Sequence, residues 1–170
     1  MTKYTDFINY HLSMLVDDVR TGSYRQAISQ VVRSGDAVVD VGCGSGILTF
    51  LACRAGARHV YAIESEAVIE IAKLVAKKIG LQDRITFFNA PSFDVELPES
   101  VEVILTETMG TFGFEEGILG SLTDARNRFL KEGGRLIPHV VDLFLVPVEL
   151  PQFYKHVIDF WVAGCQGFDF

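Results

Sequence analysis

The sequence predicts an α/β domain: a doubly wound, mainly parallel sheet with helices on both faces. Two patterns carry that expectation. Short apolar runs, Ala37-Val-Val-Asp-Val41, His59-Val-Tyr-Ala-Ile63, Ile85-Thr-Phe-Phe88 and Val101-Glu-Val-Ile-Leu105, alternate with amphipathic helical segments. Strands this apolar belong to sheets covered on both sides. The second pattern is a glycine-rich turn, Gly42-Cys-Gly-Ser-Gly46, between the first run and the helix after it. Open α/β sheets bind ligands at turns of this kind. A chain of 170 residues, 49% of them hydrophobic and 22% charged, can bury roughly 70% of its unfolded surface without disulfides or a structural metal. This composition excludes disorder as the main state.

Taken in order, residues 6–19 and 23–32 have helical spacing, with Leu12, Leu15, Val16 and Val19 on one face of the first segment. They are expected to form a helical cover over residues 1–34. A cofactor-binding domain, 35–139, opens after the turn Ser34-Gly35-Asp36 with the strand 37–41 and a helix over 47–55 stopped by Gly56. The strand 59–63 follows, then a helix over 66–79 that places Val68, Ile71, Ala72, Val75 and Ile79 on one face. Its early Glu66 and Glu70 and late Lys73, Lys77 and Lys78 suit the helix dipole. Strands over 85–88 and 101–105 come next. Ile118, Leu122, Ala125 and Phe129 then mark a helix that Gly133-Gly134 is expected to close. From 140 to 148 the run VVDLFLVPV reads as a strand with no crossover helix behind it, so 140–170 is expected to begin a β-rich region.

The formal charge of −7 and a pI near 5.0 argue against nucleic acid as a partner, because phosphate binding wants a basic face. The three cysteines, Cys43, Cys53 and Cys165, form no paired spacing, which fits a reducing compartment. The N-terminus lacks a signal-type apolar region, and no run of about eighteen apolar residues exists to span a membrane. A cytoplasmic protein is expected, with no membrane partner. No metal site is expected either, since His59, His139 and His156 have no ligand-like neighbours.

In the glycine turn, Gly42, Gly44 and Gly46 let the backbone bend sharply and let a ligand approach closely. Eighteen residues beyond Gly46, Glu64 ends the second strand, where a carboxylate can accept hydrogen bonds from two ribose hydroxyls. Ser65, beside it in the same site, is expected to cap the next helix. The spacing is GxGxG with Ile47 next, not the GxGxxG of a pyrophosphate site. Asp40, two residues before Gly42, would repel pyrophosphate and would welcome the cationic amino-acid part of S-adenosylmethionine, directly or through water. The cofactor expected is therefore S-adenosyl-L-methionine.

The stretch VVDVGCGSGILTFLACRAGARHVYAIE resembles the cofactor-binding core of class I methyltransferases, and more closely that of the protein arginine methyltransferases. MLVDDVRTGSYRQAI resembles the N-terminal helical cover of that family. ELPESVEVILTETMG, followed by Glu116, resembles its fourth strand and double-glutamate loop. The likeness runs from about residue 11 to 149 and implies a Rossmann-like sheet. It also implies that Arg20 pairs with the cofactor carboxylate, as a guanidinium can do bidentately, with His11 and Met14 lining the same pocket. Where the family usually has an acid at the adenine, this chain has Phe93, so backbone near Ser92 and packing on the ring are expected to hold the base.

Glu107 follows the fourth apolar run, and Glu116 lies nine residues on. Methyl transfer from a sulfonium needs the acceptor lone pair aligned with the methyl group. Two carboxylates gripping a guanidinium would bind its charge, polarise one nitrogen and help remove its proton. In the resemblance Glu107 and Glu116 have that catalytic role. Glu115 and Glu116 also suit the first turn of the next helix. Three readings stay open: a protein arginine methyltransferase, a small-molecule N- or O-methyltransferase, and a catalytically incomplete cofactor-binding partner subunit. The acceptor is accordingly a protein or small-molecule nitrogen. The family continues into a β-barrel, and DFWVAGCQGFDF resembles its beginning. The high mean hydropathy, +0.27, collects in 140–170, where a homodimer mate or another chain would associate.

Overall fold

In the computed structural model, residues 3–110, 112, 113, 115, 117–164, 167 and 168 are described. Five strands, β1 (Ala37–Val41), β2 (His59–Ile63), β3 (Ile85–Phe88), β4 (Val101–Thr106) and β5 (Leu130–Ile137), form one sheet in the order β3-β2-β1-β4-β5. Every neighbouring pair is parallel. All five residues of the central β1 are buried, which is why that segment reads as a continuous apolar run. Successive side chains face opposite sides of the sheet and divide the core in two. Val38, Val60, Val103 and Leu105 pack beneath Ile28, Leu48 and Ala72, while Ala37, Val39, Ile104 and Tyr61 pack with Ala125 and Phe129.

The helices are α1 (Lys3–Leu15), α2 (Asp18–Val31), α3 (Ile47–Ala55), α4 (Ile69–Lys78) and α5 (Ile118–Phe129). The break between the first two falls earlier than apolar spacing suggests. Asp17 caps α2 by accepting the Arg20 N–H at 2.9 Å, and a cap bond sets a helix start more firmly than periodicity does. Val16 and Val19 consequently lie outside any buried stripe, 65% and 81% exposed.

Three further differences have local causes. The helix expected over 66–79 starts at Ile69, so Ser65 does not cap it. Gly133-Gly134 does not close α5, which ends at Phe129 and passes straight into β5. There the register jumps: Val101 pairs with Leu130 and Val103 with Arg135, so the glycines occupy a bulge, with Gly133 in the left-handed region. The run over 140–148 forms no strand ladder, and residues 140–150 lack regular structure. Extended backbone becomes a strand only against a neighbour to pair with. Helical turns follow at Pro151–Phe153, Tyr154–Ile158 and Asp159–Ala163. No helix among the described residues is long and apolar enough to cross a membrane.

Candidate functional site

The strand order reverses between β1 and β4, and the crevice outside the carboxyl ends of the central strands is where such sheets take ligands. α2 is fixed over this edge by a short chain of bonds. The buried Tyr24 hydroxyl donates to the Thr106 carbonyl at 2.9 Å, and the Thr106 hydroxyl donates to the Val41 carbonyl at 2.8 Å. Burial and the nearby Glu107 and Asp40 carboxylates hold the Tyr24 hydroxyl above the ordinary phenol range. At the far end of α2, Arg135 donates to the Val31 carbonyl and to Asp36 Oδ2, the latter at 2.7 Å.

The turn after β1 is held by backbone. Gly42 and Cys43 both donate to the Ile63 carbonyl at 2.9 Å, and Gly46 donates to the Cys43 carbonyl at 2.8 Å. Gly42 has φ +74°, and a Cβ there would collide with Thr108 Cγ2. Glu64 completes the turn. Its Oε2 accepts the Gly44 N–H at 3.0 Å and its Oε1 accepts the Glu66 N–H at 2.8 Å. The carboxylate thus spans the gap from the glycine turn to the end of β2.

Two adjoining chambers, about 450 and 520 Å³, occupy the crevice, within the usual range for small-molecule sites. The first is lined by His11, Met14, Arg20, Gly42, Gly44, Glu64 and Glu107; the second by His11, Gly42, Glu64, Ser65 and Ser92. Arg20 Nη1 lies 3.4 Å from Glu107 Oε2 and its Nε lies 3.7 Å from Asp17. Burial pushes the His11 ring below the ordinary imidazole range, with Glu64 and Glu66 opposing.

Residues 21–138 match a family model described as ribosomal protein L11 methyltransferase (PrmA). The chain belongs to this methyltransferase family. Its sequence and fold are close to the protein arginine methyltransferase core of the class I methyltransferases. It is 42% identical over 156 residues to a probable protein arginine N-methyltransferase 6 of Arabidopsis thaliana, covering 91% of this chain and 36% of that protein. It is 38% identical over 170 residues to protein arginine N-methyltransferase 6 of Xenopus laevis, covering 98% and 49%. The chain therefore spans half or less of the length of these relatives. Among solved structures, the Trypanosoma brucei PRMT1 enzyme-prozyme heterotetrameric complex with AdoHcy matches with a TM-score of 0.81 at 30% identity, covering 95% of this chain and 51% of that one. A PRMT6-SAH crystal structure matches at 0.77 and 31%, covering 96% and 55%.

In this methyltransferase chain three of the expected cofactor residues stand apart from the chamber walls. Asp40 is fully buried and lines neither chamber. Its Oδ2 accepts the Thr49 hydroxyl at 2.6 Å and its Oδ1 has no protein partner. Burial raises its carboxyl to about 7, with Thr49 opposing and Glu64 adding to the rise. Gly46 lines neither chamber; at φ +90° it makes room for the Phe50 ring and Ala72, which a Cβ would meet at 2.8 and 3.0 Å. Phe93 is 58% exposed and also lines neither chamber. The turn at Ser92–Asp94 presents Ser92 inward and leaves the next side chain outside. Glu116 lies outside the described residues.

Tyr24, Thr108 and Ser121 were not among the site residues expected from the sequence, yet all line the crevice. Tyr24 sits inside the quoted segment MLVDDVRTGSYRQAI, but helical spacing alone gives a tyrosine no reason to point at a strand end. Thr108 had a usable signal, since a glycine that must face something small implies a close partner across the turn.

Proposed function

We propose that this chain is the cofactor-binding half of an S-adenosylmethionine-dependent methyltransferase that methylates a guanidinium nitrogen, with arginine in proteins as the acceptor. One observation carries the reading: the glycine turn, Glu64 and Glu107 share one crevice, and Glu107 already holds a guanidinium, that of Arg20, at 3.4 Å. The residues present suit the cofactor. Gly42 and Gly44 leave bare backbone on the chamber wall, Glu64 offers the carboxylate for ribose hydroxyls, and Arg20 offers a fork for a carboxylate. Ser65 and Ser92 border the second chamber, on the side assigned to the base. S-adenosylmethionine supplies an electrophilic methyl group on a positively charged sulfur.

The remaining chemistry falls to the protein. Glu107 binds the acceptor guanidinium, turns one nitrogen toward the methyl group and accepts hydrogen bonds from its N–H groups, and the carboxylate grip helps to remove the proton that this nitrogen loses as it gains the methyl. Glu116 is proposed as the second carboxylate of this grip. The chain divides, in this proposal, into a cover over 1–34, a cofactor domain over 35–139 and an association region over 140–170. Phe144 and Leu145, 85% and 100% exposed, support the last assignment, to a second copy or another chain. The spacing of this chain's three cysteines, which forms no disulfide framework, supports placement in the cytoplasm.

The test is radiolabelled methyl transfer to an arginine-rich peptide by the wild-type chain and by Glu107→Gln. Transfer by the wild type that is lost in the variant is expected. Transfer that survives the substitution removes Glu107 from the role, and no transfer by the wild type overturns the reading for this chain alone. A second reading, a partner subunit that binds cofactor for another chain, is favoured by the likeness to a chain of an enzyme-prozyme complex. Cofactor binding without transfer would select it.

A further inference from the structure

α5 presents Ser121, Asp124 and Arg128 at spacings of three and four residues, hence on one face. Ser121 borders the second chamber. The other two form a fork. Arg128 Nε donates to both oxygens of Asp124 at 3.0 Å, and Nη2 donates to Asp124 Oδ2 at 2.6 Å. The guanidinium also grips backbone: Nη2 donates to the Ser92 carbonyl and Nη1 to the Val95 carbonyl, each at 2.7 Å, while Nη1 lies 3.9 Å from the exposed Glu96 carboxylate. The guanidinium also stands over the Phe129 ring, 4.4 Å from its centre, and Phe129 is buried in the core.

The segment so held is short of bonds of its own. Within it Asp94 donates to the Pro91 carbonyl at 3.0 Å and Val95 to the Ser92 carbonyl at 3.3 Å. Ser92, 8% exposed, forms the chamber wall together with Ala90 and Pro91. A cation that grips two carbonyls of one turn, while locked to a carboxylate and an aromatic ring on a packed helix, fixes that turn relative to the core.

We infer that Arg128, locked by Asp124, is a positioning residue that sets the Ser92–Val95 backbone against the edge of the cofactor base. Phe93 lines neither chamber, so recognition of the base at this turn falls to its backbone groups and the inward Ser92, and these discriminate only when they are held still. This rests on the S-adenosylmethionine reading above.

The experiment compares binding of S-adenosylhomocysteine and of its inosine counterpart, which carries oxygen in place of the exocyclic amine, by calorimetry. The proteins are the wild type, Arg128→Gln and Asp124→Asn. The wild type is expected to prefer the adenosyl ligand by about tenfold or more. In both variants the adenosyl affinity falls about tenfold and the preference shrinks toward unity. A variant that is merely less stable loses both ligands in proportion and keeps the ratio. Arg128→Lys, which retains the charge but not the fork, is the control should Arg128→Gln fail to fold, and it is expected to lose selectivity too. An unchanged ratio in folded variants, or a wild type that does not discriminate, overturns the inference while leaving the cofactor reading intact. A wild type that binds neither ligand overturns the cofactor reading, and this inference with it.

Discussion

Asp40 ties the stability of this chain to pH in a direction opposite to that of most carboxylates. It is fully buried, and its carboxyl is raised from 3.8 to about 7 by that burial, with Thr49, through its hydroxyl and its backbone N–H, opposing the rise. Between pH 4 and 7 the folded chain keeps a proton on Asp40 that the unfolded chain has released. Stability therefore falls as pH rises through this window. About three pH units, each worth about 1.4 kcal/mol, give a loss of roughly 4 kcal/mol across it. Asp40→Asn removes the titration while retaining an oxygen for Thr49. Other groups shape both curves alike, so the quantity to measure is the difference in unfolding free energy between variant and wild type, by urea titration at intervals from pH 4 to 8. The variant is expected to match the wild type within about 1 kcal/mol at pH 4 and to gain on it steadily to pH 7. A difference that stays flat across the range would falsify the protonated, buried carboxyl.

Three further outcomes are expected. Glu64→Ala abolishes S-adenosylhomocysteine binding in calorimetry, because it removes both the ribose carboxylate and the anchor of Gly44; undiminished binding would sink the pocket assignment. Gly42→Ala lowers stability by about 2–4 kcal/mol, through a side chain in the left-handed region and a clash with Thr108. Adding Thr108→Ser, which deletes the clashing methyl, restores part of that loss in urea unfolding, and no recovery would show that the strain lies elsewhere. Tyr24→Phe costs about 1–2 kcal/mol by the same measurement, since it leaves the buried Thr106 carbonyl without its donor; a negligible cost would mean that α2 is held by packing alone.

The strands that were legible in the sequence are those buried on both faces. β1, β2 and β3 begin and end where their apolar runs do, and β4 extends its run by Thr106. β5 was illegible for a physical reason. As the edge strand beside β4 it is covered less, it carries Lys131, Glu132 and Arg135, and it contains two glycines that read as a helix stop. What makes it a strand is long-range: pairing with β4 on both sides of a bulge, and the reach of Arg135 to Asp36 and Val31. The start of α2 shows the same competition at short range, because the Asp17 cap overrode the apolar stripe from which the helix was first drawn.

At the site, the residues read from local chemistry reached the crevice when their backbone lies on its rim, as with Gly42, Gly44, Glu64 and Ser65. Asp40 did not, although its spacing from the glycines is the same in sequence whatever its orientation. In a strand, alternate side chains face opposite sides of the sheet, and Asp40 falls on the side of α3, against Thr49. Proximity to a motif therefore locates a backbone, while the parity of the strand position decides which side chain meets the ligand. Phe93 makes the same point within a single tight turn: Ser92 and Phe93 are adjacent, yet one is buried at the chamber wall and the other is exposed beside Gly120. The side chain that governs this turn, Arg128, lies 36 residues away in sequence from Ser92. A reading confined to motifs finds the ligand's neighbours, and the residues that hold those neighbours in place come from packing between elements distant in the chain.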